Sequence, residues 1–581
     1  MPDYIVMNTL TPHNFPPDNT SVLIVGGGPC GLMLANELGR RNIRTVLVND
    51  KPTTAVNPQA NATQARTMEH FRRLGFADEI RSQGLPADFP TDIAYFTRYA
   101  HYELARFSLP SASQAKDNVR HLSGSWSAAE LPHRVSQKFV ETTLYQHAQK
   151  FSSNSLHFGW RLLEYQESKG HVDAYIQRVS DGEKHVVRGA YLVGADGPRS
   201  TVREQLGFRY TGETGVVRDF MGGRMYAIYV RCPDFYRVVP HAPAWMSVSF
   251  NNERRAFMAA VDGKGEFAFH TQLRPHEAED AVTDADAVAM FRAAVGADVD
   301  VEILSRGAWT AGHSLVAEHF QQGRIFIGGD AAHLFTPTGG LGYNTAVEDA
   351  VNLGWKLSAV LKGQAPESLL QSYEVERRPL AERNTQYAKG FADSIGNFRP
   401  VSEIEADSAP GARARDAAGE YLARHGRTEF NIPGVTFGGR YDESPVIIND
   451  GTPPPPDCAN EYVPTAKPGG RPPHAWLASG LSLYDTFDTE WSLLALNATP
   501  SDIHPFITAA KAMCLDLKVV QPEAINKLLP LYGAHLTLIR PDHIVAWQGN
   551  DGTEASRVLA RVIGTLDGKA KLNPDINKEA I

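Results

Sequence analysis

The sequence predicts an α/β protein: a Rossmann-like dinucleotide-binding domain, an antiparallel sheet inserted into it, and a small separate α/β domain at the C-terminal end. Three observations carry this. SVLIV from Ser21, a glycine turn, GLMLANELGRRN at helical spacing and then TVLV read as strand, helix and strand, the unit that builds a parallel sheet. Between about Tyr210 and Leu273 the pattern changes to alternating segments rich in Tyr, Phe, Val and Trp (RMYAIYV, AWMSVSF, RAFMAAV), which suit an antiparallel sheet. Beyond Phe430, proline-rich GTPPPPD and AKPGGRPPHAW favour extended surface backbone, and WSLLALNA, CLDLKVVQPEAINKLL, HLTLIRPDHIVAW and a closing helix follow.

In chain order, residues 1–17 carry Pro12, Pro16 and Pro17 without periodicity and read as a lead-in arm. Segments 18–90, 130–207 and 311–400 are assigned to the dinucleotide-binding domain, the last through the helical run NLGWKLSAVLKG and SYEVERRPLAERNTQYAKGF. Segments 91–129 and 208–310 are assigned to the inserted sheet, expected to hold the substrate. The mixed, polar stretch 401–430 reads as a linker, and 431–581 as the last domain.

Composition narrows the function. With 581 residues, 42% hydrophobic and 21% charged, the chain is a multi-domain globular protein and not a disordered or collagen-like one. The 57 basic against 66 acidic residues leave a net charge of −9, with no basic field for nucleic acid or an anionic membrane. The uncharged stretch Ser21 to Asn36 is broken by glycines and falls short of the roughly 20 apolar residues of a membrane span. The N-terminal MPDYIVMNTL, with Asp3, does not read as a secretory signal, and four cysteines without a CxxC suit reduced thiols in a cytoplasmic protein. No HExxH or GxSxG is present, so neither a metal centre nor a serine hydrolase is expected.

Gly26-Gly27-Gly28-Pro29-Cys30-Gly31 fits GxGxxG directly between a strand and a helix. Gly26 and Gly28 permit a tight turn and close approach to a pyrophosphate, Gly31 permits close helix packing, and the helix N-terminus faces the anion. At the end of the second strand, where an acid usually takes ribose hydroxyls, stands Asn49, whose amide can accept one such bond. A second strand ends in Gly194-Ala195-Asp196-Gly197, with Arg199 and Arg203 beyond it. In a third segment, Gly323 to Leu357, a strand delivers Asp330 into a turn, and a loop with Gly339, Gly340 and Gly342 opens a long helix. One carboxylate against a polyol and one helix N-terminus against a ring that becomes negative on reduction suit the ribityl chain and isoalloxazine of FAD.

In GGGPCG, GADGPRS and GGDAAHLFTPTGGLGYNTAVEDAVNLGWKL, taken in order and spacing, the chain resembles the group A flavoprotein aromatic hydroxylases. SLLQSYEVERRP, RPPHAWL and LIRPDHIVAW make it similar to the phenol hydroxylase and chlorophenol monooxygenase branch. The resemblance implies that Asp330 holds the ribityl hydroxyls, that Gly340, Leu341, Gly342 and Asn344 lie beside the flavin's pyrimidine end, and that Asp196 and Gly197 serve both the pyrophosphate and the nicotinamide coenzyme. It further implies that Gln137 contacts FAD, that Leu162 offers backbone to the adenine, that Arg66 and the position of Gln59 lie near the flavin, and that the C-terminal domain is thioredoxin-like and supports a homodimer. Only one GxGxxG occurs, so NADH or NADPH is expected to bind transiently.

The implied activity is hydroxylation of a phenolic aromatic compound with O2, through a flavin hydroperoxide. The alternatives are a tailoring oxygenase on a polycyclic polyketide or antibiotic, and a flavoprotein that binds an aromatic ligand without turnover. Relatives carry Arg at the position of Gln59 and His or an acid at that of Asn61, so both charges are missing here, and Asn61 is a neutral candidate for the substrate hydroxyl. Other candidates to bind or activate the phenol are Tyr226, His241, Arg254, Asp262 and His270 in the inserted sheet, and the backbone of Pro337 before the flavin loop. His333 in GDAAH is expected to shape its turn.

Overall fold

A computed structural model describes residues 15–565 except 217, 219, 275 and 524; residues 1–14 of the expected arm lie outside that range. Strand Asn19–Val25 is flanked in parallel by Thr45–Asn49 and Lys184–Gly194, with Asn154–Phe158 and Ile325–Ile327 outside them. Such strands are covered on both faces and therefore read as unbroken apolar runs. Helix Pro29–Gly39 covers one face, burying Leu32, Met33, Leu34 and Leu38 completely, and packs along helix Gly342–Leu361. A hairpin, Trp160–Ser168 with His171–Arg178, pairs antiparallel to Lys184–Gly194.

The inserted sheet has seven strands in the order Glu302–Ala311, Gly223–Arg231, Glu266–Gln272, Arg255–Ala260, Met246–Phe250, Ile93–Phe96 and Glu103–Phe107. Only Met246–Phe250 and Ile93–Phe96 run parallel. Because successive side chains alternate between faces, Ile228, Val230, Phe267 and Phe269 pack toward helix Asp284–Val295, with Phe269 edge-on to Phe291 at 5.3 Å. The other face, carrying Ala227, Tyr229, Phe257 and His270, turns toward the first domain, where Lys138 of helix Gln137–Gln149 donates to the Tyr229 hydroxyl at 2.7 Å.

The C-terminal sheet, in the order Leu517–Val520, Trp491–Ala495, Leu536–Ile539 and Val545–Gly549, pairs its first two strands in parallel and the others antiparallel, the thioredoxin-like arrangement. A buried ionic cluster docks it. Glu376 of helix Ser372–Gly396 accepts two nitrogens of Arg540 at 2.7 and 2.8 Å and the Lys356 ammonium at 2.6 Å, while Asp542 also pairs with Arg540 at 2.6 Å.

Two expected boundaries shift. Residues 401–430 are not a linker: helix Ala409–Phe430 lies against strand Glu103–Phe107 and buries Ala418, Leu422, His425, Gly426 and Glu429. Segment 112–126 forms helix Ala112–Asn118 and a short turn instead of sheet, and meets the C-terminal region through Trp476 Nε1, which donates to the Val119 carbonyl at 3.0 Å.

Candidate active site

Three turns at the C-terminal ends of parallel strands converge. Gly26 stands at φ +115, and a side-chain carbon there would lie 2.1 Å from the Ala195 carbonyl oxygen; one at Gly31 would lie 2.0 Å from that of Gly26. Backbone packing therefore requires glycine at both, and it seats the first turn directly on the second. Gly28 differs: at φ −82 it precedes Pro29, the first residue of the helix, and a carbon added there would meet nothing within 4 Å. Gly197, at φ +83, is equally open. These two positions leave a cradle at a helix N-terminus, the setting in which backbone N–H groups hold a pyrophosphate.

The third turn is tied to the second. Tyr210 donates its hydroxyl hydrogen to the Asp330 carbonyl at 2.5 Å and accepts from Arg203 at 2.6 Å, and Arg203 also donates to the Pro198 carbonyl at 3.0 Å. The Asp330 carboxylate is solvent-accessible yet walled in by protein, and burial raises its pKa. Among the described residues it makes no hydrogen bond, so its oxygens are free for a polyol. His333 serves structure, with Nε2 2.6 Å from Asp349, which also accepts the Gly329 N–H at 3.0 Å.

The glycine loop before helix Gly342–Leu361 is pinned from several sides. A carbon at Gly340, φ +63, would lie 2.8 Å from Ala62 Cβ. Asn344 accepts the Gln64 N–H at 2.8 Å and donates to the carbonyls of Ala62 (2.9 Å) and Gly340 (2.6 Å). Gln64 donates to the Gly339 carbonyl at 2.7 Å, and Glu429 accepts the Gly339 N–H at 2.9 Å while its other oxygen lies 2.8 Å from His425. Leu341 is buried with Phe391, Ile432 and Val435, and Gly342 faces Phe335. The loop's backbone is thus fixed in place before any ligand arrives. A free carboxylate, two open glycine positions and a rigid loop at a helix N-terminus together fit FAD.

Other expected residues brace these turns or lie away from them. Asn49 uses Oδ1 to accept the Gly27 N–H at 3.0 Å and so braces the first turn. Asp196 accepts from the Ser200 hydroxyl at 2.5 Å and the Val202 N–H at 3.3 Å, and so braces the start of helix Thr201–Leu206, whose N-cap is Ser200. Gln137 donates to Glu141 at 2.7 Å, Leu162 is buried in the core of the first domain, and Gln59 is exposed. Arg66 turns away from the flavin loop: it donates to the carbonyls of Asp542 (2.8 Å) and His543 (2.9 Å) and pairs with Glu69. Pro337 is exposed in the loop before Gly339.

Of the sheet candidates, only His270 belongs to the inner face. It stacks on Phe257 at 4.6 Å, meets Trp309 edge-on at 5.7 Å, and is held near pKa 4 by burial. Tyr226 points to the opposite face and accepts from Arg306 at 2.9 Å. Asp262 accepts three backbone N–H groups in a hairpin turn, Arg254 is paired with Glu277 beyond a strand end, and His241 contacts the His101 carbonyl on a loop. Asn61 donates to the Gln59 carbonyl at 3.3 Å, while its Oδ1 is buried without a partner among the described residues.

Residues 19–388 match the FAD binding domain family, and residues 465–566 match the C-terminal domain of aromatic-ring hydroxylases. The chain belongs to the group A FAD-dependent aromatic hydroxylases. Among relatives of this hydroxylase, the FAD-dependent monooxygenase apdD of Emericella nidulans is 29% identical, over 94% of this chain and 90% of that one. Phenol 2-monooxygenase of Pseudomonas sp. is also 29% identical, over 93% and 91%. The structure of RebC with bound 7-carboxy-K252c superposes with a TM-score of 0.84 at 30% identity, covering 95% of this chain and all of the other. No helix among the described residues is long and apolar enough to cross a membrane.

Sequence reasoning missed several residues that build the site. Glu429 was hidden in a supposed linker, and Gln64 sits beside Asn61 in a run read only for its charges. Tyr210 and Arg203 had a usable signal, since Arg203 lies on the short helix Thr201–Leu206 just after the GADG turn, but their joint hold on Asp330 is a tertiary contact.

Proposed function

We propose that the hydroxylase adds one oxygen atom from O2 to a phenolic ring held between the Gly339–Asn344 loop and the inner face of the inserted sheet, with NADH or NADPH as a transient reductant. The observation that carries this is the aromatic stripe Phe257, His270 and Trp309 on that face, which turns toward the domain that holds the loop. FAD, when bound, supplies the electron transfer and oxygen activation. Gly26, Gly28, Pro29, Gly31 and Gly197 would seat its pyrophosphate, Asp330 its ribityl hydroxyls, and the backbone from Gly340 to Asn344 its pyrimidine end. Asn61 offers an unused acceptor for a phenolic O–H. His270, kept neutral by burial, can bind a substrate oxygen without bringing a charge into the cavity. A phenol with a pKa of about 10 would then be polarised by hydrogen bonding, with no strong base to ionise it. The homodimer implied by the resemblance and the cytoplasmic setting read from the cysteines belong to this proposal, the first checked by sedimentation of the holoenzyme.

A second reading, a tailoring oxygenase on a multi-ring phenol, is favoured by the length of the stripe. Phe257, His270 and Trp309 come from three different strands, with ring centroids 4.6 and 5.7 Å apart in turn, an array longer than a single phenol ring. Stopped-flow reduction of the holoenzyme by NADH and by NADPH, with monocyclic phenols and with a hydroxyanthraquinone, decides between them. Acceleration by monocyclic phenols supports the first reading and acceleration only by the larger ring the second. Indifference to both points to a flavoprotein that binds without turnover.

A further inference from the structure

The short strand His133–Arg134 pairs with Ala62–Thr63, placing Arg134 opposite Ala62, whose side chain abuts Gly340 of the flavin loop. Arg134 is 4% exposed, and its guanidinium lies over the ring of Trp245, 4.4 Å from the centroid, where the chain enters the inserted sheet. Other deeply buried arginines have carboxylates: Arg81 pairs with Glu130, Arg377 with Asp349, Arg471 with Glu69 and Arg540 with Glu376. Among the described residues the Arg134 guanidinium has neither ion pair nor hydrogen bond. The charge nearest in influence is Glu429, whose two oxygens are already occupied by the Gly339 N–H and His425. A ring face offsets only part of the cost of taking a guanidinium out of water. Burial pulls its pKa to about 10, which still leaves it charged at neutral pH. It therefore stands as an uncompensated cation where the flavin loop, the inserted sheet and helix Ala409–Phe430 meet.

We propose that Arg134 anchors an anionic oxygen of the aromatic substrate, a carboxylate or the ionised oxygen of an acidic phenol, so that this hydroxylase selects acidic aromatics. The inference rests on the reading of the preceding subsection and narrows its substrate class. A guanidinium suits the task because its planar fork meets a carboxylate with two parallel hydrogen bonds, which an ammonium cannot do.

The test uses the FAD-loaded enzyme and a matched pair of probes, 1-hydroxy-2-naphthoate and 1-hydroxy-2-naphthamide, titrated by the change in flavin absorbance. The wild type is expected to bind the carboxylate at least about tenfold more tightly, a charge-assisted bidentate pair against a neutral one, and Arg134→Met and Arg134→Gln to level the two. Equal affinity in the wild type would overturn the anchor and leave the hydroxylase reading standing, because that reading is judged by the rate of flavin reduction with phenols. Melting of the ligand-free holoenzyme needs no ligand. An unpaired buried charge requires at least one of the two variants to melt above the wild type, whereas a lower melting temperature in both would show that the protein itself holds the guanidinium and would overturn the proposal.

Discussion

Mild acid should destabilise the FAD-binding domain and its seam with the C-terminal domain. His70, His133, His474 and His543 are each at most 3% exposed. Burial holds His133 and His474 at about 3 and drives His70 and His543 well below 6.5, with the neighbouring charge of Arg66 and Arg73 adding to the effect on the last two. Because the folded-state pKa values are depressed, the unfolded chain binds protons that the folded chain refuses, and stability falls as the pH drops below about 6.5. At about pH 5.5 each unfolded imidazole is ~0.9 protonated, so the four take up ~3.6 protons, and stability falls by about 5 kcal/mol per pH unit. That is comparable to the whole stability of many domains, about 5–15 kcal/mol. Thermal release of FAD, followed by flavin fluorescence at constant ionic strength from about pH 7.5 to 5, should show a melting temperature that falls steeply below about 6.5, and potentiometry at about pH 5.5 should record uptake of about 3.6 protons from these four and about one more from His270, which burial holds near 4. A flat profile with uptake of less than about one proton would refute the assignment of these four as neutral. His543→Gln should reduce the uptake by about one.

Asp330→Asn should leave the fold intact and weaken FAD binding by about 10- to 100-fold, the worth of hydrogen bonds to a charged acceptor, read by reconstitution of the apoprotein. Gly28→Ala and Gly26→Ala should separate two roles of one motif. The former, with open space at its Cβ, should melt like the wild type yet retain less FAD, and the latter, 2.1 Å from the Ala195 carbonyl, should fail to accumulate as folded protein. Glu429→Gln should lower stability by about 1–3 kcal/mol in urea unfolding, because Gly339 and His425 lose a charged acceptor. Glu376→Gln should cost about 3–5 kcal/mol by leaving Arg540 and Lys356 short of a counter-charge, and limited proteolysis should then cleave first between the domains.

The flavin half of the site was legible because its demands fall on backbone. Gly26, Gly31, Gly339 and Gly340 are glycines for steric reasons that any sequence meeting them must share, and Asp330 follows its strand at a fixed distance. The substrate half was not, because alternation along a strand separates two faces without saying which one a helix will cover. Tyr226 was lost to helix Asp284–Val295 on that account, and Asp262 to a turn whose N–H groups it satisfies. Helix Ala409–Phe430 did carry a signal. Ala418, Leu422, His425, Gly426 and Glu429 recur at helical spacing, but the stripe is made of small and polar residues and does not register as apolar.

The closeness of that helix to the sheet has an evolutionary consequence. A carbon at Gly419 would lie 2.4 Å from the Leu104 carbonyl and one at Gly426 would lie 3.3 Å from the Tyr95 hydroxyl, so the helix can seat on the sheet only because side chains are absent there. Any substitution at Gly419 must push the helix outward, and Glu429, on the same rigid rod, would travel with it and drag the Gly339 amide. The seat of the helix on the sheet and the position of the flavin loop are thereby inherited as one trait: lineages or engineers that put a side chain at Gly419 must also re-anchor the loop at Gly339.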